Sequence, residues 1–301
     1  MGRVRVIWSV PTVLHALAGV TWQDNWIHDA AMNQRQKAAM NQRHKNALTT
    51  AAVTVCVTWL LTLMPAHAVP RVVSLNLCSD EMLVLLAPEQ VAALTPLARD
   101  PSLSFVAAQA ARLPVVRPTA EAVLRLHPDL VLAGLYGAQT TVGLLEQEGV
   151  AVLRLDLPQS FAGIRQQTRQ LAARLGVPSR GAALIAAMDA TLRGLRRPAH
   201  PVTALAWEPR GYTAGPDTLM DAVLHAAGLV DIGTGRRVGL EALLRHPPDL
   251  LVVPQASANP SLATDLLNNP AVSAIPRRIV PASLTICGGP FTAQAAALLA
   301  Q

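Results

Sequence analysis

Two cysteines, Cys78 and Cys287, carry the most reactive side chains in the part of the chain that follows residue 68. Each comes after a short apolar segment of the kind that forms a buried strand. In an oxidising compartment the pair can form a disulfide. As free thiolates the same side chains can contact a ligand or its metal, and as buried thiols they only fill space. The residues alone leave these three outcomes open.

A nucleophile with a partner base is the pattern expected of a hydrolase, and the chain offers Cys78 or Ser79 with a distant histidine. Neither residue lies in a nucleophile-elbow, phosphate-loop or paired-histidine motif. We therefore expect that the chain is not an enzyme. The alternative is a small-molecule hydrolase or other enzyme on a two-lobed α/β scaffold. A binder gives a one-to-one signal with its ligand and no turnover, which separates the two.

Direct binding of a bare metal ion needs several histidine or carboxylate side chains that converge on one point. The histidines after residue 68 are His127, His200, His225 and His246. Two of them lie beside Pro-Asp pairs, and the other two have a helical or linker context. We therefore expect no metal site made by the protein itself.

The whole chain has a formal net charge of +6, which is typical of a nucleic-acid-binding protein. This charge is unevenly distributed between the first 68 residues and the remainder. Residues 1–68 hold six Lys or Arg against two Asp, whereas the remainder holds 19 Arg, no lysine and 17 acidic residues. A nucleic-acid interface needs clustered cations that neutralise several phosphates. The balanced remainder has no such cluster, so we expect no nucleic-acid partner.

Residues 1–68 have the pattern of a leader. A basic segment at 43–45, an apolar stretch at 47–64 and a small-x-small site ending at Ala68 are typical of an export signal. Because the four residues that begin at Met32 recur from Met40, we expect an over-extended start with the signal peptide beginning at Met40. Cleavage after Ala68 then releases the exported protein. A retained membrane anchor is the alternative.

The first elements of the mature chain are a strand and a helix. A strand is predicted over residues 71–76, and Ser79 is expected to cap a helix over residues 81–86. Asp80 and Glu81 then fall at the start of this helix, where carboxylates favour the helix dipole.

A pattern of fourteen residues occurs twice, from Thr119 to Leu132 and from Gly239 to Val252. Each copy predicts a short helix opened near a glutamate, stopped by Pro-Asp and followed at once by a buried apolar strand. A helix that leads directly into a continuous apolar strand is typical of parallel α/β sheets. Two copies indicate two similar lobes.

A single amphipathic helix is predicted to join the lobes. Ile185, Met188, Leu192 and Leu195 recur at steps of three and four, which gives the helix one buried face. We expect an N-terminal lobe at 69–177, a linking helix at 178–198 and a C-terminal lobe at 199–301. The fold class is α/β, with two Rossmann-like lobes whose parallel sheets are joined by one long linking helix. Such a connector resists hinge opening, so only small motions are expected.

The strand and capped helix at 72–86, the twin segments and the single linking helix together resemble the periplasmic binding proteins for vitamin B12 and ferric siderophores. The resemblance covers essentially residues 70–300. It implies two lobes that enclose a cobalamin, a haem or an iron siderophore, which the protein passes to the permease and ATPase of an ABC importer. It also implies a monomer with no cofactor of its own.

The same resemblance assigns Glu121 and Glu241 to docking on arginines of the permease. A glutamate near a helix N-terminus also favours the helix dipole by a few tenths to about 1 kcal/mol. Two glutamates at matched places in the two lobes favour the docking interpretation.

Ligands of such folds lie where loops leave the carboxyl ends of the strands. The predicted ligand-binding residues are Cys78, Ser79, Arg99, Tyr136, Trp207, Arg210, Tyr212, Thr285, Cys287 and Phe291. Flat aromatic faces suit a corrin, a porphyrin or a catecholate, and arginines suit carboxylate or phosphate groups. These residue types leave the identity of the chelate open.

Overall fold

The computed structural model describes residues 70–255 and 265–301, and in addition the single residue Gln42. The predicted signal peptide, its start at Met40 and its cleavage after Ala68 lie outside the described residues. Residues 68–301 form one unit, which contains both lobes. Within the described ranges, no helix is both long enough and apolar enough to cross a membrane.

Two four-stranded parallel sheets have the same strand order, β2-β1-β3-β4 and β6-β5-β7-β8. The N-terminal lobe contains β1 (Val72–Ser74), β2 (Val91–Ala93), β3 (Leu130–Gly134) and β4 (Val152–Leu155). The C-terminal lobe contains β5 (Thr203–Ala206), β6 (Val230–Asp231), β7 (Leu250–Pro254) and β8 (Arg277–Val280). The carboxyl ends of parallel strands meet at one edge of each sheet, so the loops that follow the strands gather there.

Helices cover the faces of both sheets, as parallel sheets require. The described α-helices are α1 (Leu77–Leu86), α2 (Ala107–Ala110), α3 (Ala120–Leu124), α4 (Gln139–Gln147), α5 (Phe161–Arg174), α6 (Pro178–Arg193), α7 (Leu219–Ala226), α8 (Leu240–Arg245) and α9 (Ala293–Leu299). Short 3-10 helices lie at Pro88–Gln90, Pro96–Arg99, Pro209–Gly211, Leu266–Asn268, Pro270–Val272, Ala282–Leu284 and Pro290–Thr292.

The repeated sequence pattern forms the centre of each lobe. Helices α3 and α8 lead into the buried strands β3 and β7, which pair with β1 and β5. The aspartates of the two Pro-Asp pairs have one shared role. Asp129 accepts a hydrogen bond from the main-chain N–H of Arg71 at 2.7 Å, and Asp249 accepts one from that of Thr203 at 2.8 Å. Each carboxylate thus ties the start of a neighbouring strand, and the predicted two-lobed α/β fold is confirmed.

The linking helix α6 packs against both lobes. Met188 on α6 belongs to one buried cluster with Ile164 of α5 in the N-terminal lobe and with Leu219 and Ala293 in the C-terminal lobe. The helix ends at Arg193, earlier than the predicted end at residue 198, because the chain turns at Gly194 and prolines follow.

Helix α1 begins earlier than the sequence predicts. Its cap is Asn76, whose side chain accepts the N–H of Ser79, so Ser79 lies inside the first turn and is not the cap. The first turn packs into the other lobe, since Leu77 belongs to the core cluster that contains Cys287 and Phe291. Asp80 and Glu81, which follow in the same helix, are also buried.

Candidate functional site

A cavity of about 380 Å³ lies between the lobes at the carboxyl edge of the first sheet. Every strand of the N-terminal lobe leads to part of its wall. Asn76 follows β1, Leu97 follows β2, Leu135 follows β3 and Leu157 follows β4. The C-terminal lobe contributes Ile286 and Gly288, which come after β8. The cavity therefore occupies the position at which parallel α/β sheets bind ligands.

The wall of this cavity is mainly apolar. The described residues include twelve large hydrophobic side chains that are exposed to solvent. Five of these twelve line the cavity, namely Leu97, Leu135, Tyr136, Leu157 and Ile286. Tyr136 is 78% exposed, the highest value among the twelve. Exposed apolar side chains gathered in one concave place are typical of a ligand-binding surface.

Four polar side chains interrupt the apolar wall, namely those of Asn76, Ser79, Asp156 and Gln167. The Asn76 side chain caps α1, and Gly134 makes room for it, because a Cβ on Gly134 would lie 2.4 Å from the Asn76 amide nitrogen. Gln167 donates a hydrogen bond to the Asp156 main-chain oxygen at 2.6 Å. The wall can therefore form a few directed hydrogen bonds to an otherwise apolar ligand.

The base of the cavity is the joint between the lobes. Cys78 of α1 and Cys287 of the C-terminal lobe form a disulfide, which decides among the three outcomes that the sequence left open. Next to it the chains approach closely, since a Cβ on Gly288 would lie 2.8 Å from the Pro158 carbonyl oxygen. Gln159 accepts the main-chain N–H of Leu219 across the same joint at 3.1 Å. The lobes are therefore linked covalently and by packing beneath the cavity.

Two buried carboxyl groups lie behind this joint. Burial raises the pKa of Glu81 to about 8, and it raises the pKa of Asp80 to about 6. One oxygen of Glu81 accepts the N–H of Phe105 at 2.7 Å, whereas the other is buried with no hydrogen-bond partner among the described residues. The Phe105 ring stacks on Phe291 of the C-terminal lobe at 4.6 Å. Glu81 therefore holds the main chain of the residue that stacks across the joint, and it does not line the cavity.

Three of the predicted ligand-binding residues line the cavity: Cys78, Ser79 and Tyr136. Cys78 reaches it as half of the disulfide, and Ser79 is only 1% exposed. Tyr136 is thus the predicted residue that presents the most accessible surface to a ligand.

Trp207 was predicted to bind the ligand from the loop that follows a strand, and the structure corrects this prediction. Its side chain is 0% exposed within the core of the C-terminal lobe, and its indole N–H donates to the Val238 carbonyl at 2.9 Å. The chain turns back directly after β5, so that Trp207 pairs with Thr213. This turn buries the ring in its own lobe.

Five further predicted residues also lie off the cavity wall. Phe291 is buried in the stack with Phe105, and Thr285 is half-buried beside the wall. The Arg99 guanidinium donates to the Leu113 carbonyl at 2.6 Å, which directs it along its own lobe. Arg210 and Tyr212 are exposed on the C-terminal lobe, where Arg237 lies over the Tyr212 ring at 5.8 Å. Cys287, the tenth predicted residue, reaches the site through its disulfide.

Several wall residues were not predicted, because they are aliphatic, whereas the predicted ligand-binding residues are mainly aromatic, charged or sulfur-containing. Leu97, Leu135, Leu157 and Ile286 carry most of the apolar surface. Leu135 and Leu157 follow β3 and β4 within two residues. Apolar residues immediately past a strand end are the sequence signal that could have found them.

The described ranges contain no group of three or more His, Cys, Asp or Glu side chains placed to hold a metal ion. The predicted docking residues Glu121 and Glu241 are both exposed, each in the first turn of its helix. Neither forms an ion pair with another residue of the described part of the chain.

The two parallel-sheet lobes, the single linking helix and the cavity between the lobes define a two-lobed ligand-binding protein. A family model described as periplasmic binding protein matches residues 72–276. The chain belongs to this periplasmic binding protein family.

Comparison with known proteins gives relatives in two sets. A curated cobalamin-binding protein of Halobacterium salinarum is 32% identical over 146 residues, which cover 44% of this chain and 39% of the relative. The chain therefore spans about two fifths of the length of the curated relatives that it matches.

Among solved structures, the periplasmic haem-binding protein of Roseiflexus sp. RS-1 in its apo form is 25% identical. It has a TM-score of 0.61, and the match covers 77% of this chain and 96% of that one. The periplasmic haem-binding protein of Vibrio cholerae has a TM-score of 0.63 at 20% identity, with 76% and 96% covered, and shows the shared fold.

Proposed function

We propose that this protein is an exported solute-binding protein that binds cobalamin or a ferric chelate, either a siderophore or a haem, and delivers it to an ABC importer. The observation that carries the proposal is the cavity wall, because nearly half of the exposed large hydrophobic side chains in the described ranges converge on one interlobe cavity. A bulky ligand with apolar faces buries such a wall, at roughly 25 cal/mol per Å² of apolar surface removed from water.

The known relatives support this ligand class. The Halobacterium relative is named a cobalamin-binding protein, and the Roseiflexus structure is named a haem-binding protein. Since the described residues offer no cluster of metal-binding side chains, we infer that the metal arrives already chelated. Membership of the family supports a periplasmic location, which is the destination that the predicted signal peptide would give.

A binder is favoured over the alternative of a hydrolase. Cys78 is held in a disulfide, so it offers no thiolate nucleophile. Ser79 is 1% exposed, and its hydroxyl has no hydrogen-bond partner in the described ranges that could act as its base.

Titration calorimetry with cyanocobalamin, haemin and a ferric hydroxamate tests the ligand class. We expect one of the three to bind the mature protein with one-to-one stoichiometry. Leu135→Asp places a charge on the apolar wall, so it should weaken that binding by about a hundredfold. Ile279→Asp is the matched control, because Ile279 is exposed on the C-terminal lobe and lies off the wall. If none of the three chelates binds, or if both variants weaken binding equally, the proposed function is wrong.

We further propose that Glu121 and Glu241 dock on cationic residues of the permease. Both are exposed at matched positions, each in the first turn of the helix before a central strand. Because helices that precede parallel strands begin at the carboxyl edge of the sheet, both glutamates lie on the side of the lobes where the ligand enters.

The double variant Glu121→Arg with Glu241→Arg tests the docking proposal in vesicles that contain the importer. Uptake should be abolished while the affinity for the chelate in solution stays unchanged. Glu148→Arg is the control, since Glu148 is an exposed glutamate of the N-terminal lobe outside these helices. A loss of chelate affinity in the double variant, or normal uptake, would count against docking.

A further inference from the structure

A second cavity, of about 670 Å³, continues directly from the first. It is a groove between β4, the edge strand of the first sheet, and helix α5. The two cavities share residues 155–158 and Gln167. The two cavities therefore adjoin, and the groove lies within reach of an appendage on a ligand seated between the lobes.

The groove is more polar than the cavity between the lobes. Three carboxamide side chains of α5 line it: Gln166, Gln167 and Gln170. A carboxamide both donates and accepts hydrogen bonds, and so does the open main-chain edge of β4 on the opposite side. Gln167 is held by its bond to the Asp156 carbonyl, whereas Gln166 and Gln170 make no hydrogen bond to another described residue. We call this surface the amide groove.

The amide groove is lined by three charged side chains, those of Arg154, Asp156 and Arg174. Arg154 is committed to Glu146 in an ion pair of 2.6 Å. Asp156, at the junction with the cleft, accepts the main-chain N–H of Leu157. Arg174 makes no ion pair with any residue of the described ranges. Arg174 lies seven residues beyond Gln167 on α5, which places the uncommitted cation about 10 Å from the junction.

We propose that the amide groove is a second subsite that binds an appendage carrying amide groups and one anionic group, and that it selects a corrinoid with a nucleotide tail. This assignment rests on the proposed function, since the body of the ligand occupies the cavity between the lobes. A complete corrinoid carries amide side chains and one phosphodiester, which match the three carboxamides of α5 and Arg174, the groove cation that makes no ion pair with the described residues. Haem carries two carboxylates and no amide, so it would accept from the carboxamide N–H groups but would donate nothing to their oxygens.

The probes that test the subsite are cyanocobalamin, dicyanocobinamide and haemin. Dicyanocobinamide keeps the corrin ring and its amides but lacks the nucleotide tail. We expect the wild-type protein to bind cyanocobalamin at least about tenfold more tightly than dicyanocobinamide, because a charge-assisted hydrogen bond is lost with the tail. Cyanocobalamin should also bind more tightly than haemin.

Variants of Arg174 then test whether the groove causes this difference in affinity. Arg174→Ala should weaken cyanocobalamin binding by about tenfold and leave dicyanocobinamide binding unchanged, whereas Arg174→Lys should restore part of the loss. Arg169→Ala is the matched control, because Arg169 is an exposed arginine on the same helix outside the groove. Equal unfolding temperatures for the three variants would show that the changes are confined to binding.

The outcomes separate this inference from the proposed function. If both corrinoids bind equally well and Arg174→Ala changes neither, the subsite is wrong while the cleft function stands. If haemin or a ferric hydroxamate binds and the corrinoids do not, the selection of a corrinoid is wrong. If no member of the panel binds, the proposed function itself fails.

Discussion

The two lobes share a strand order and a sequence pattern, yet they contribute unequally to the cavity. In each lobe a short helix leads through Pro-Asp into the central strand, and the aspartate ties the start of the neighbouring strand. All four strand ends of the N-terminal lobe lead to the cavity wall. Among the described residues, the C-terminal lobe reaches the wall only through the segment after β8.

The path of the loops explains this difference. After β5 the chain turns back at Pro209–Gly211, which pairs Trp207 with Thr213 and Tyr212 with Arg237. These pairings bury the indole and direct the loop across its own lobe. After β1 the chain enters α1 at once, and the first turn of α1 faces the cavity. Lobes of equal topology thus differ in function because their loops take different paths.

The largest expected effect concerns the aromatic side chain after β5. Trp207→Ala removes a fully buried indole and its hydrogen bond, so it should lower the free energy of unfolding by about 3–5 kcal/mol. Tyr136→Ala, on the N-terminal side of the cavity, should change it by less than about 0.5 kcal/mol. Urea unfolding measures both. If the Trp207→Ala protein is stable but fails to bind its chelate, Trp207 contacts the ligand. The contrast between the lobes would then be wrong.

The second effect concerns the joint on which the two lobes meet. The pKa of Glu81 is raised in the native state, so the native protein keeps a proton that the unfolded chain releases above about pH 4.5. Stability should therefore fall as the pH rises toward about 8, by about 1.4 kcal/mol per pH unit for this group. Glu81→Gln keeps the acceptor for the Phe105 N–H and should remove this part of the slope, measured by urea unfolding between about pH 6.5 and 7.5.

Glu89→Gln is the control for this measurement. Glu89 pairs with Arg180 at 2.7 Å, and the hydrogen bond from Arg180 lowers the pKa of its carboxyl. Its contribution to stability is present above its ordinary pKa and is lost only as the pH falls, so the variant should keep the wild-type slope near neutrality. Equal slopes for wild type and Glu81→Gln would show that Glu81 is not protonated in the joint.

The smallest effect compares one tyrosine from each lobe. Tyr136 lines the cavity, whereas Tyr212 lies off its wall beneath Arg237. Tyr136→Ala should weaken chelate binding by about tenfold through the loss of aromatic contact, and Tyr212→Ala by less than about twofold. Calorimetry with the chelate identified in the panel measures both. A larger loss for Tyr212→Ala would mean that the C-terminal lobe contributes more to binding than the cavity indicates.

Much of the fold was predictable because it depends on local patterns. The twin segments ending at Leu132 and Val252 combine helical spacing, a Pro-Asp stop and a continuous apolar strand, and each of these signals acts over a few residues. The linking helix was found for the same reason. Only its end differed, since the turn at Gly194 comes before the prolines.

The site was less predictable, because it depends on where distant segments meet. Tyr136 and Ser79 were found as residues that follow strands, yet Trp207 has the same sequence context and is buried. Asp80 and Glu81 were predicted at a helix start, and the structure buries both where Asp80 contacts Thr95 and Glu81 contacts the Phe105 main chain. A sequence window does not contain the partner that covers a side chain.

The sequence by itself determined the two α/β lobes, the linking helix and the strand ends where a ligand can bind, since hydrophobic periodicity and turn residues act locally. Only the tertiary structure decided that Cys78 and Cys287 are bridged, that the N-terminal lobe supplies most of the cavity, and that the amide groove continues from it. These features join residues as many as 209 positions apart. Their geometry arises when the two lobes pack together, so it is absent from any single segment.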